Sequence, residues 1–148
     1  PLRARLEAGI SQRQLEQVVR LVGFIPEEQL VTYYQAADLV LMPTAQLEGF
    51  GLVTVEALAC GTPVVGTPVG AIPEVLGQID PILISSGTDS RSFADALGRV
   101  LSRIEEPVER ERLSRKGRSL VERRYNWVQH CADLIRLSTK PASERKAA

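Results

Sequence analysis

An α/β domain with a parallel sheet flanked by helices is predicted by three features of the sequence. Short apolar runs alternate with segments of helical periodicity, and the connections between them are short. Two glycine-bearing loops each follow an apolar run and lead into a helix. With 148 residues, 44% of them apolar, the chain is long enough for one ordinary domain with a core.

Taken in order, Leu2 to Ala8 has helical character, and Gly9 is placed to end it. Val18 to Val22 is a β-branched run closed by Gly23, which predicts a buried strand. Pro26, Glu27 and Glu28 read as a helix start, with acids opposing the dipole. Leu30, Tyr33, Tyr34 and Ala37 then follow at helical spacing and are expected to face the core. Leu39 to Met42 is an unbroken apolar run, expected as a strand buried on both faces. After a loop from Pro43 to Gly51, a helix is predicted from Leu52 to Cys60, with Gly61 at C′ and Pro63 preventing continuation. Val64 and Val65 predict a third strand, Thr67 to Gly70 a loop, Ile72 to Leu76 a helical turn, and Pro81 to Ile84 a fourth strand.

The remainder is helical in pattern. Phe93, Leu97, Val100, Leu101 and Ile104 form one apolar stripe, and Leu113, Leu120 and Val121 mark a second helix. Asn126 is placed to cap a third, with Trp127, Cys131, Leu134 and Ile135 inward. Residues 1–137 are expected as one partial domain and 138–148 as a polar, disordered tail.

Lys plus Arg and Asp plus Glu balance at 18 each. This argues against a nucleic-acid binder and leaves a small anionic ligand open. Cys60 and Cys131 are far apart and lack metal-ligand neighbours, so ordinary thiols and no metal site are expected. No apolar run approaches the ~20 residues of a membrane helix, and no signal peptide is evident. A reducing, cytoplasmic setting is the expectation.

The chemistry concentrates in Glu48-Gly49-Phe50-Gly51-Leu52-Val53-Thr54-Val55-Glu56, between an apolar strand and a helix. Ligands of parallel sheets sit at the carboxyl ends of strands, in such loops. Gly49 and Gly51 let the chain turn tightly and let a ligand approach the backbone. The first amides of the next helix lack internal partners and, with the dipole, form an anion site. A diphosphate could be held there with little side-chain charge. Glu56, about one turn into the helix, suits a vicinal diol such as a ribose, and Glu48 suits the hydroxyls of a sugar. Local physics also admits a plain reading: glycines for turning, Glu56 facing solvent, Glu48 a loop charge.

The segment from Pro43-Thr44 through Glu48-Gly-Phe-Gly-Leu to Glu56-Ala-Leu-Ala-Cys-Gly-Thr-Pro-Val-Val closely resembles a known family, as does Val69-Gly-Ala-Ile-Pro-Glu-Val. It is the retaining glycosyltransferase family of the GT-B fold, family 4 or glycosyl transferases group 1. The resemblance extends over roughly Leu2 to Trp127, including Arg20-Leu-Val-Gly-Phe-Ile-Pro. It implies the Rossmann-like C-terminal, donor-binding domain of that fold, and transfer of a sugar from a nucleotide-diphosphate sugar with retention. No tightly bound cofactor is implied. Glu48 resembles the family glutamate near the donor sugar, which binds the sugar or stabilises positive charge at the anomeric centre. Glu56 resembles the glutamate that holds the ribose. Phe50, Gly51 and Leu52, after Gly49, match the segment contacting sugar hydroxyls and phosphate.

Gly66, Thr67 and Gly70 could belong to a second donor loop or serve only the turn. Glu74 fits a structural or capping role, His130 a packing residue, and the Arg/Glu run from Glu105 to Arg124 a solvated helix face. The resemblance also implies an N-terminal acceptor domain, two earlier strands and an Arg/Lys pair, none of which is found in the sequence. In strand order three-two-one-four-five-six, their absence predicts a gap in the sheet, with each unpaired group costing about 1–3 kcal/mol. The isolated chain is therefore expected to be marginal, rearranged or completed by a partner chain, and inactive without the acceptor domain. Membrane contact, at the inner face, would come through that domain. The alternatives are a non-catalytic nucleotide-sugar-binding module, a degenerate remnant, or a GT-B epimerase or phosphorylase, the last disfavoured by Glu-Gly-Phe-Gly-Leu.

Overall fold

A computed structural model describes residues 2–139. They fall into two compact units, divided between Leu30 and Val31.

In the first unit, helix α1 (Leu2–Gln12) runs through Gly9 instead of ending there. It closes at Gln14, which takes φ 57°. The Gln14 amide donates to Ser11 O at 3.0 Å and the Leu15 amide to Ile10 O at 3.0 Å, a Schellman closure without glycine. The strand expected at Val18–Val22 does not form. The Val18 and Val19 amides donate back to the Leu15 carbonyl in a turn, and Val18 and Val22 are exposed. A β-branched run needs a neighbouring strand to occupy its amides, and no strand of this unit pairs with it.

Helix α2 (Glu27–Ala36) begins with Glu27 and Glu28 in its first turn, as predicted. Its expected core face is shallow: Leu30 and Tyr34 are half-buried, and Tyr33 is exposed. Ala37, just beyond the helix, is half-buried.

The second unit carries the sheet. Strand β1 (Val40–Met42) pairs in parallel with β2 (Val64–Gly66), Val40 opposite Val64. Gly66 bridges in parallel to Ile84, which extends the order beyond β2. The gap was expected between Val18–Val22 and Leu39–Met42; Val18–Val22 forms no strand, and among the described residues β1 pairs with β2 alone. β2 is wholly buried, but Leu41 in β1 is 43% exposed, so β1 is not covered on both faces. The predicted strand at Pro81–Ile84 is instead a 3-10 turn (Pro81–Leu83). Asp80 Oδ1 accepts from the Ile82 amide at 3.1 Å, and Pro81 fixes the first turn position, so only Ile84 remains extended.

Helices α3 (Leu52–Ala59) and α4 (Ile72–Gly77) follow β1 and β2. They are followed by α5 (Ser90–Ile104), α6 (Pro107–Arg124) and α7 (Trp127–Thr139). α3 ends as predicted. Gly61 at φ 83° donates to Leu58 O, and Thr62 to Ala57 O, each at 3.0 Å. α3 and α6 approach closely at Gly117, where a Cβ would stand 2.7 Å from Leu58 Cδ2. Leu58, Val64, Val65, Ile72, Leu83, Val100 and Leu113 form the dry centre. From α5, Leu101 turns outward while Val100 and Ile104 stay in.

Asn126 caps α7, its Oδ1 accepting from the Gln129 amide at 2.8 Å. The stripe expected to face inward does not: Trp127, Cys131, Leu134 and Ile135 are all exposed. A helical stripe is buried only where another element covers it, and α7 presents this one to solvent. Ser138 and Thr139, expected in the tail, complete α7; the rest of that tail, 140–148, lies outside the described residues.

Candidate functional site

Two loops meet at the carboxyl ends of the strands. Residues 43–51 lead from β1 into α3, and 67–71 lead from β2 into α4. Thr67, fully buried, joins them: its Oγ1 donates to the Thr44 carbonyl at 2.6 Å and its amide to Met42 O at 3.2 Å. The Ala71 amide donates to Gly49 O at 3.0 Å. Gly70, at φ 57°, packs onto the same backbone, where a Cβ would stand 2.3 Å from Glu48 O. Gly66 lies under Ile72, whose Cγ2 would be 2.4 Å from a Cβ there. These contacts give Gly66, Thr67 and Gly70 structural work in clamping one loop to the other.

Gly51 is the N-cap of α3, with φ 74° and ψ 57° and no side-chain cap. This left-handed geometry favours glycine. It lets the chain enter the helix with the first amides of α3 lacking intrahelical partners. The Glu48 carboxyl folds back over this point: a Cβ on Gly51 would be 3.8 Å from Glu48 Cδ. Thr44 Oγ1 reaches Glu48 Oε2 only at 3.5 Å, a long contact. Phe50 is anchored edge-on against Tyr125, at the end of α6, with ring centroids 5.4 Å apart. Leu52 and Gly49 are exposed, so the site is an open ledge. Beneath it, the wholly buried Thr54 Oγ1 has no hydrogen-bond partner among the described residues.

Glu56 lies on the exposed face of α3, one turn in. Tyr34 from α2 donates its hydroxyl to Glu56 Oε2 at 2.9 Å. The Tyr34 carbonyl in turn accepts from Thr62 Oγ1 at 2.6 Å, which ties α2 to the end of α3. Burial first, and then the hydrogen bond and charge of Glu56, push the Tyr34 phenol up to about 12. The phenol therefore stays a donor, and one Glu56 oxygen is held while lone pairs remain for a ligand. Burial also pushes the nearby Cys60 thiol up.

The structure thus gathers Glu48, Gly49, Phe50, Gly51 and Leu52 at the start of α3, with Glu56 along the same helix. It does not join His130, which is exposed and stacks edge-on with Trp127 at 5.7 Å. That is not the interior packing expected of it. Glu74 is in the first turn of α4 without a capping hydrogen bond. Tyr34 and Tyr125 were not predicted as site residues. Tyr34 had a signal only as a member of the α2 stripe, and Tyr125 had none. Among the described residues no group of His, Cys, Asp and Glu could hold a metal ion. No described helix is long and apolar enough to cross a membrane.

Comparison with known proteins gives this geometry a context. The family model for glycosyl transferases group 1 matches residues 1–120. A D-inositol 3-phosphate glycosyltransferase of Corynebacterium urealyticum is 37% identical over 131 residues, covering 88% of this chain and 28% of its own length. Sucrose-phosphate synthase from Thermosynechococcus elongatus superimposes with a TM-score of 0.78 at 32% identity, over 92% of this chain and 33% of its own. HepE of Anabaena, in complex with UDP, superimposes with a TM-score of 0.73 at 26% identity, over 89% of this chain and 36% of its own. The chain therefore spans about a third or less of these relatives.

Proposed function

The chain belongs to the glycosyl transferases group 1 family, and from that premise we propose that it is the donor-binding part of a glycosyltransferase. The reaction is transfer of a sugar from a nucleotide-diphosphate sugar to an acceptor, with retention. The observation that carries this reading is the helix start at Gly51. A glycine-capped helix N-terminus stands between two carboxylates, Glu48 over the cap and Glu56 one turn along.

Each part has a physical task. The α3 amides and dipole suit the diphosphate. Glu56, held by Tyr34, would accept from the two ribose hydroxyls. Glu48 would accept from sugar hydroxyls and stabilise positive charge growing at the anomeric carbon. Its position beside the phosphate site brings a negative charge close to where the sugar–phosphate bond breaks. Gly49 and Phe50 shape the loop, and the ring contact with Tyr125 keeps it preorganised. The acceptor and its binding groups belong to a further domain or partner chain. The UDP complex of HepE supports uracil as the first base to test. A cytoplasmic setting suits Cys60 and Cys131, both free thiols.

Calorimetric titration with UDP, GDP and ADP tests the proposal. One nucleotide is expected to bind, and Glu56→Ala to weaken it tenfold or more, ~1.4 kcal/mol. Binding that is indifferent to Glu56→Ala, or no binding by a folded chain, would overturn the assignment of Glu56.

A further inference from the structure

A concavity lies away from the loops of the proposed donor site. It has a volume of about 640 Å³, within the range of small-molecule sites. One face of α6 forms its main wall. Arg112, Arg115, Lys116, Arg123 and Arg124 line it, with no carboxylate among the lining residues. Together with Ser119 and Leu120, which also line it, these positions follow helical spacing along α6, so the cations share one stripe over about 18 Å. Gln78, after α4, closes the opposite side.

The charges are not all cancelled. Arg112 is paired with Asp80 at 2.7 Å and Glu109 at 3.0 Å, and Arg115 with Glu111 at 3.1 Å. Lys116, Arg123 and Arg124 have no carboxylate partner among the described residues. Arg124 Nη1 donates to Gln78 Oε1 at 2.9 Å, and Gln78 Nε2 donates to the Glu74 carbonyl at 2.8 Å, so this side is preset. Arg123 donates to Ser119 Oγ. In a chain of zero net charge, three uncompensated cations around one hollow are a local concentration. Guanidinium forks match phosphoryl oxygens in geometry and charge.

We propose that this cavity binds a ligand carrying more than one phosphoryl charge, at a site separate from the donor site. None of its lining residues belongs to α3 or to the loops at the strand ends. The phosphoryl group is supplied either by a soluble diphosphate or by the headgroup of an anionic lipid.

Titration of the purified protein with pyrophosphate at about 0.15 M salt, alongside co-sedimentation with phosphatidic acid or phosphatidylcholine vesicles, tests this. With UDP added to saturate the proposed donor site, one saturable site for pyrophosphate is expected to remain, weakened at least tenfold in Lys116→Ala/Arg123→Ala. Ser119→Asp, which adds a carboxylate inside the cavity, should weaken it similarly. Arg118→Ala, on α6 but outside the lining, should leave it unchanged. Thermal melting checks that each variant is folded. Pyrophosphate silence with phosphatidic acid capture, lost in the same variants, assigns the headgroup as source. Failure of both probes, or binding indifferent to the cavity variants, would overturn the proposal.

Discussion

Gly70 sits so close to Glu48 that a Cβ on it would stand 2.3 Å from the Glu48 carbonyl oxygen. The loop after β2 is thereby pressed onto the loop that carries the proposed sugar contact. The Gly70 backbone also has φ 57°, where an L side chain is strained. Gly70→Ala should therefore cost about 3 kcal/mol, from the strained backbone and the overlap together. Nucleotide binding should fall with it, because Gly49 and Phe50 lose their support. Urea unfolding with a UDP titration measures both, and an unaltered midpoint would show that the two loops are not clamped.

Tyr34 and Glu56 are linked in a way that predicts a pH dependence. The phenol is pushed from 10.0 up to about 12, so the folded state holds this proton more tightly than the unfolded chain. A raised folded value contributes stability that is complete below pH 10 and is lost as the pH climbs through 12. Tyr34→Phe should destabilise by about 1 kcal/mol near neutral pH, after discounting for solvent screening. The gap between wild type and variant should then close between about pH 10 and 12. Chemical denaturation across that range, with tyrosinate absorbance followed in parallel, decides it.

Glu48 predicts opposite effects on binding and on chemistry. Its carboxyl lies over Gly51, beside the start of α3. At the proposed donor site this charge would repel a diphosphate and attract positive charge at the anomeric carbon. Glu48→Gln should leave UDP affinity unchanged or raise it a few-fold. Sugar transfer, measured with the proposed acceptor domain supplied, should fall by about a hundredfold or more. Equal loss of affinity and rate would mean that Glu48 serves nucleotide binding alone.

The parts of this fold that were legible in the sequence are those set by local chemistry. Gly51, Gly61 and Pro63 bracket α3 because left-handed glycines and proline act within a few residues of themselves. The Glu48–Glu56 segment was legible for the same reason, since its glycines, helix start and carboxylates are contiguous. Misreadings came where a distant partner decides. Val18–Val22 has strand composition, but its first amides turn back to Leu15. The α7 stripe has helical spacing but no covering element among the described residues, and Trp127 and Ile135 are exposed. At Pro81 the deciding partner is local instead: the Asp80 cap competes with the strand and wins. The Tyr34–Glu56 bond spans 22 residues, and no sequence period announces it.

Thr54 supplies the last prediction. Its side chain is wholly buried at the start of α3, yet its hydroxyl makes no hydrogen bond among the described residues. A buried hydroxyl without a partner carries a desolvation cost of about 1–3 kcal/mol. Valine has nearly the same shape, and the two residues have similar helix propensity, so Thr54→Val removes the cost and little else. The variant should be more stable by about 1 kcal/mol or more, with UDP affinity unchanged. A loss of stability would show that the hydroxyl has a partner in solution, such as a buried water. A loss of UDP affinity at unchanged stability would bring Thr54 into the nucleotide site.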